Sequence, residues 1–199
     1  MEIHNSGHAT VIIKHEGSVI YIDPFILPEK KHKADFILVT HSHFDHFDKK
    51  RIAEISTDKT RVIHHGCGIS GVEMGVGDEK LFGKLKVKAV HAYNTNKKYH
   101  PKNFGVGYIM EICGKRIYHA GDTDLIPEMN SLGRIDLACL PIAGTYTMDE
   151  AEAAEAVRII KPLAVMPIHY DSIVKGDVEK FKGLVMNSDA QFFVRKAVI

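Results

Sequence analysis

The chain has 199 residues, 26 Lys+Arg against 25 Asp+Glu, 45% hydrophobic and 26% charged, which is the profile of an ordinary soluble globular protein with one domain over residues 1–199. A formal net charge of +1 excludes a generic polyanion binder, since any basic surface would have to be local. Three scattered cysteines, Cys67, Cys113 and Cys139, never form a C-x-x-C, which excludes a disulfide framework and a cysteine zinc knuckle.

The compositional oddity is 13 histidines alongside no tryptophan. Met1–Gly7 carries neither a basic nor an apolar leader-like region. No apolar run approaches the roughly 18–20 residues that span a bilayer. A reducing, cytoplasmic setting is therefore expected.

In chain order, residues 9–14 and 18–23 are β-branched runs separated by His15-Glu16-Gly17, a hairpin signature. Residues 35–40 form a short continuous apolar run, the mark of a strand covered on both faces. Residues 48–55 read as a helix with Asp48 as N-cap, and 60–64 as a strand. Residues 106–112, the turn at Cys113-Gly114-Lys115, and 116–120 repeat the hairpin, and 135–140 echo the buried strand. Ile20-Tyr21 answers Ile117-Tyr118, and Ala34-Asp35 answers Ile135-Asp136. The repetition implies two pseudo-symmetric β-rich halves, although two unrelated hairpins could resemble each other this far by chance.

Residues 148–160 carry an apolar stripe of Ala153, Ala156, Val157 and Ile160, with Thr147 and Glu150 at capping-box spacing. Pro162 ends this helix, 163–168 is another buried strand, a last helix is expected over 176–186, and a last strand over 191–198.

The decisive segment is Thr40-His41-Ser42-His43-Phe44-Asp45-His46, directly after the buried strand 35–40, where α/β sites usually lie. His41 and His43 are two apart and point the same way in extended chain. Asp45 and His46 fall where the chain must bend toward the helix. Imidazole and carboxylate suit Zn²⁺, and also Mn²⁺ or Fe²⁺, and four ligands in six residues can serve two ions. A solvated His-rich turn would show the same heptapeptide, but it would not explain His91, Asp122 and His169, each a ligand-type residue at the end of a strand. Gly66-Cys67-Gly68-Ile69-Ser70-Gly71 matches G-x-G-x-x-G, yet Gly75 and Gly77 break any helix after it and no acidic residue stands about 20 positions on, so no nucleotide cofactor is expected.

These residues resemble the metallo-β-lactamase superfamily, whose H-x-H-x-D-H hallmark is His41, His43, Asp45 and His46 here. Gly7-His8-Ala9-Thr10, Tyr21-Ile22-Asp23-Pro24, Tyr118–Asp124, Gly144–Met148 and Pro167–Tyr170 resemble the branch of L-ascorbate-6-phosphate lactonase-like hydrolases and N-acyl-phosphatidylethanolamine phospholipase D. The resemblance implies an α+β four-layer αβ/βα sandwich with the metal site at one edge.

It further implies one ion on His41, His43 and His91 and a second on Asp45, His46 and His169, with Asp122 bridging. His100, in His100-Pro101, is the alternative to His91. A di-iron redox protein of this fold would carry Glu at position 43, so His43 implies a hydrolase. Two cations sharing a water would deliver hydroxide to a lactone, phosphodiester or related ester, with Asp45 or Asp122 accepting a proton. The rival readings are a nucleic-acid-processing nuclease of the same superfamily and a non-catalytic metal-binding module.

Asp23 is expected to orient the ligand loop or cap a turn. His8, Tyr93, Asn94, His100, Asp124, Tyr146 and Tyr170 are candidates for bracing the site or holding substrate, and His119 for a structural hydrogen bond. Lys30, Lys31, Lys33, Lys97, Lys98 and Lys102 would suit a small anionic substrate. No nucleic-acid or membrane signal accompanies them, and the resemblance points to self-association as a homo-oligomer.

Overall fold

Two β-rich halves, each sorting its apolar residues to alternate faces, build the molecule in the computed structural model, which describes residues 1–186 and 188–199. The first half contains β1 (Glu2–Gly7), β2 (Thr10–His15), β3 (Ser18–Ile22), β4 (Phe36–Val39), α1 (Lys49–Ile55), β5 (Arg61–His64) and β6 (Val72–Glu73). The second contains β7 (Glu79–Phe82), β8 (Leu85–Ala92), β9 (Gly105–Ile112), β10 (Lys115–His119), a 3₁₀ turn (Pro127–Ser131), β11 (Leu137–Pro141), α2 (Glu150–Ile160), β12 (Ala164–Ile168), α3 (Val178–Val185), β13 (Gln191–Phe192) and β14 (Lys196–Val198). The sheets run β14-β1-β2-β3-β4-β5-β6 and β13-β12-β11-β10-β9-β8-β7.

The halves are related strand by strand. β2–β3 and β9–β10 are antiparallel, and β3–β4–β5 and β10–β11–β12 are parallel. Ile20 pairs with Phe36 as Ile117 pairs with Leu137. Asp35 Oδ2 accepts from Val19 N at 2.8 Å, and its counterpart Asp136 Oδ2 accepts from Arg116 N at 2.9 Å. The repeat read from Ala34-Asp35 and Ile135-Asp136 is thus a real register, fixed by a carboxylate that pins the start of each parallel strand.

Period-two alternation produces three apolar layers. Ile20, Ile22 and Leu38 meet Ile117, Leu137, Cys139 and Met166 between the sheets. Tyr21, Ile37 and Val39 face α1 on one outside, and Tyr118, Ala138, Leu140 and Val165 face α2 and α3 on the other. This is the four-layer sandwich, with helices on both outer faces.

Two sequence expectations shift, and one strand is added. Residues 191–198 are two strands in different sheets: β13 pairs with β12 and β14 with β1, so the last residues cross from one layer to the other. The capping box of α2 is Asp149 with Glu152, two residues beyond Thr147 and Glu150. Asp149 Oδ1 accepts from Ala151 N and Glu152 N, and Glu152 Oε2 accepts from Asp149 N, because Thr147 is buried in the loop. β1 itself, polar by composition, is made a strand by partners on both edges. Among the described residues, no helix is long and apolar enough to cross a membrane.

Candidate metal centre

Ends of β3, β4, β10 and β12 converge at one edge of the sandwich, and the loops leaving them carry the histidines and aspartates. Asp23, leaving β3 with φ of 47°, is fully buried and accepts three hydrogen bonds. Thr40 N reaches Oδ1 at 2.8 Å, and Thr40 Oγ1 and His46 Nδ1 reach Oδ2 at 2.7 Å each. A carboxylate can only accept, so His46 donates from Nδ1 and turns Nε2 inward, bare once a cation takes the place of its second proton. Since Thr40 Oγ1 donates to Asp23, it accepts from His41 Nδ1 at 3.0 Å, which leaves His41 Nε2 bare as well. One aspartate thereby sets the tautomers of two histidines, the orienting role that outer partners play at metal sites.

His100 is fixed in the same way from another loop. Asn94 Oδ1 accepts from His100 N at 2.9 Å and from His100 Nδ1 at 3.1 Å. The Asn94 amide donates to Asp124 Oδ1 and to Tyr146 O at 3.0 and 2.8 Å. Lys97 Nζ donates to the same aspartate at 2.6 Å, closing the brace. The freed His100 Nε2 lies 3.2 Å from His43 Nδ1, which lies 3.0 Å from His41 Nε2.

His100, not His91, therefore completes the group with His41 and His43. His91 is still inside β8, opposite Val106, and lines a separate cavity of about 250 Å³ with Val76, Ile109, Tyr118 and Met129. The β8 register aims its ring elsewhere, and the loop after β8 brings position 100 back over the edge.

The second group gathers Asp45, His46, His169 and His8. His169 follows β12 with φ of 55° and is held by its own N–H, which donates to His8 O at 2.7 Å. His8 Nε2 lies 2.9 Å from Asp45 Oδ2 and Nδ1 lies 2.9 Å from Ser172 Oγ. The aspartate accepts, so His8 donates from Nε2 and braces Asp45. The His8 backbone donates to Asp171, which pairs with Arg195.

Asp122, after β10, stands between the groups. Oδ2 is 3.2 Å from His100 Nε2 and from His169 Nε2, and Oδ1 is 3.2 Å from His46 Nε2. Gly121 allows this turn: its φ is 64°, and a Cβ there would lie 2.7 Å from Val106 O.

Of the remaining candidates, Tyr93 turns its hydroxyl to Glu128, 3.0 Å away, instead of to the cluster. Tyr146 packs edge-on against Tyr99, with ring centroids 4.5 Å apart. Tyr170 carries Arg195 over its ring. His119 donates from Nε2 to Ala9 O at 2.8 Å and accepts at Nδ1 from Gly121 N at 3.2 Å. Sequence reasoning passed over Ser172, Asp171 and Thr40, whose types are too common to stand out. Four of the six lysines pair within the protein: Lys31 with Glu54, Lys33 with the Glu54 and Ser56 carbonyls, Lys97 with Asp124 and Lys102 with Glu128.

Electrostatics follow from burial and charge. Burial, reinforced by the neighbouring His46, holds His41 well below the usual imidazole range, and burial lowers His43 and His100 too. Burial alone would raise Asp122, but His169 and His46 outweigh it and hold that carboxyl well down. Burial pulls His46 down as well, yet Asp122 and Asp23 overcome it and raise it well above the imidazole range. The centre thus sets the neutral imidazoles of His41, His43 and His100 beside ionised carboxylates and a His46 held toward its charged form, and so favours positive charge at its middle.

The donors fit divalent metal. His46 Nε2, Asp122 Oδ1 and His169 Nε2 are buried without a hydrogen-bond partner among the described residues, a costly state in the absence of a cation. Nitrogens placed tetrahedrally around zinc would lie about 3.3 Å apart, close to the 3.0 and 3.2 Å separations around His43 Nδ1.

The Beta-lactamase superfamily domain matches residues 2–169. A UPF0173 metal-dependent hydrolase from Thermococcus onnurineus is 37% identical over 204 residues, covering 90% of this chain and 89% of the relative. One from Thermus thermophilus is 34% identical over 201 residues, covering 91% and 89%. A solved structure from Parabacteroides distasonis, assigned as a metal-dependent hydrolase, has TM-score 0.90 and 33% identity, covering 97% of this chain and 91% of that one. With this fold, this ligand edge and these relatives, the chain belongs to the metallo-β-lactamase superfamily and, within it, to the metal-dependent hydrolases.

Proposed function

We propose that the protein hydrolyses an ester-type bond, a lactone or a phosphodiester, in a small substrate at a binuclear centre. The observation that carries this reading is Asp122, which lies 3.2 Å from His100 of one donor group through Oδ2 and 3.2 Å from His46 and His169 of the other through Oδ1 and Oδ2. Residues His41, His43 and His100 would hold one ion and Asp45, His46 and His169 the other, with Asp122 shared. Two such ions, zinc being the best match to these nitrogen and oxygen donors and manganese or iron the alternatives, supply a water acidified toward neutrality and polarisation of the ester oxygen.

The remaining work falls to the chain. Asp23 keeps His41 and His46 in the binding tautomer, and the Asp124–Asn94 pair does the same for His100. Asp45, partly open to solvent and kept ionised by the His8 hydrogen bond and by His46 against the pull of burial, is placed to accept a proton from the attacking water. Phe44 is 68% exposed and stands edge-on to Phe25, with centroids 6.1 Å apart. Lying inside the ligand loop, it offers an exposed apolar surface suited to the uncharged part of a substrate. Of the six lysines, Lys30 and Lys98 have no ion-pair partner among the described residues and would be free to pair with an anionic group. Three free cysteines support a reducing compartment, the cytoplasm.

The test is turnover on a panel of lactones, phosphodiesters and cyclic nucleotides with added Zn²⁺ or Mn²⁺, alongside metal analysis. Activity on one ester class, lost in Asp122→Ala, is expected. Stoichiometric metal with no turnover on any class would overturn the proposal.

A further inference from the structure

The pseudo-symmetric halves bring two hairpin tips together at the end of the sandwich away from the metal edge. One tip follows β2 and consists of His15, Glu16 and Gly17; the other follows β9 and consists of Cys113 and Gly114. β2 and β9 both begin at the metal edge, and five residues of strand separate Thr10 from His15, so the tips lie on the order of 17 Å or more from the centre. Across the sandwich, His15 Nε2 is 2.9 Å from Cys113 Sγ, and Glu16 Oε1 is 3.8 Å from the same nitrogen. Thiol, imidazole and carboxylate thus present one donor atom each within 4.8 Å of one another.

We propose that Cys113, His15 and Glu16 form a further metal site, independent of the central one, for a thiophilic divalent ion of the zinc class. A sulfur–nitrogen–oxygen donor set selects zinc or cobalt over magnesium or calcium. Three protein ligands leave a fourth position to water. The geometry needs small adjustment: sulfur and nitrogen around zinc would be about 3.6 Å apart, so the tips must part by roughly 0.7 Å. Cys113 is exposed and His15 partly so, which leaves both free to move.

Lys84 Nζ approaches Glu16 Oε2 at 3.4 Å, but both side chains are open to water, and such a pair is worth little. Glu16 and Cys113 also hold φ of 47° and 52° in turns that favour Asn, Asp or Gly, so ligand-type residues stand where turn chemistry alone would choose others. Binding releases one proton, from the Cys113 thiol to solvent, as the sulfur–metal bond forms. The ion would tie the first sheet to the second through residues 98 positions apart.

The central site contains no sulfur, and the other two thiols, Cys67 and Cys139, belong to no donor group among the described residues. A thiolate-to-cobalt charge-transfer band in the near ultraviolet therefore reports on this site alone. The full chain, stripped with chelator, is titrated with Co²⁺, and the same titration is run on Cys113→Ser, Cys67→Ser and His15→Ala. The expected result is a band that saturates by three equivalents, two for the central site and one for this one. It should vanish in Cys113→Ser, persist in Cys67→Ser, and in His15→Ala require at least the roughly tenfold more metal that loss even of an outer partner costs. Zn²⁺ should slow alkylation of Cys113 in the wild type but not in His15→Ala. Absence of the band in the wild type, a band surviving in Cys113→Ser, or Zn²⁺-insensitive alkylation overturns the proposal. Loss of the central metals leaves this band untouched, so the two readings fail separately.

Discussion

Replacing Asp23 by Asn isolates the hydrogen-bond logic of the centre without changing its volume. Asn Oδ1 can still accept from Thr40 N, the 2.8 Å contact. The amide nitrogen then replaces Oδ2 and faces His46 Nδ1, 2.7 Å away, so two donors confront each other. His46 has two ways out. It can keep its Nδ1 proton and leave a buried donor unpaired, or hold its proton on Nε2 alone, facing Asp122, and lose the lone pair that nitrogen would offer a cation.

The first route costs about 1–3 kcal/mol in the metal-free protein, a fall of roughly 2–12 °C in Tm for a chain of this size. The second removes a ligand. Either way, metal affinity should fall about 10- to 100-fold, or about 1.4–2.7 kcal/mol. Competition against a chromophoric chelator measures the affinity, and thermal denaturation in excess chelator measures the metal-free stability. Wild-type affinity in Asp23→Asn would refute the claim that this carboxylate sets the His46 tautomer.

Other outcomes follow from the same coordinates. His100→Ala should lose at least tenfold in affinity for one metal, whereas His91→Ala should keep wild-type metal content; the reverse would restore His91 to the centre. Gly121→Ala places a methyl 2.7 Å from Val106 O at φ of 64° and should cost more than about 2 kcal/mol, read by chemical denaturation. Burial pushes the Cys67 and Cys139 thiols up to about 12. The reactive thiolate is therefore scarce in both at neutral pH, and mass spectrometry of the chelator-treated native protein labelled with iodoacetamide should find Cys113 modified well before either. Asp149→Ala removes the acceptor for Ala151 N and Glu152 N and should lower stability by about 1 kcal/mol without changing metal content.

What the sequence determined by itself is local. His41, His43, Asp45 and His46 lie within six residues after a buried strand, so the bend between β4 and α1 suffices to gather them. Asp122 and His169 were legible because each directly follows an apolar run whose end fixes its place on the edge. The repeat of Ile20-Tyr21 and Asp35 in Ile117-Tyr118 and Asp136 was visible because identical pairing demands the same apolar alternation and the same pinning carboxylate.

Only the tertiary structure brings His100, and not His91, beside His41 and His43. Both follow ligand-like signals, but the choice depends on the β8–β9 register and on Asn94 meeting Asp124, contacts between segments 30 residues apart. It also decided that His8 braces Asp45, because that requires Ser172 and Asp171 to arrive from 164 and 163 positions away. Alternation tells which face a residue takes, whereas a ligand set depends on which loops close over one edge. That closure is fixed by packing between layers that no local pattern encodes.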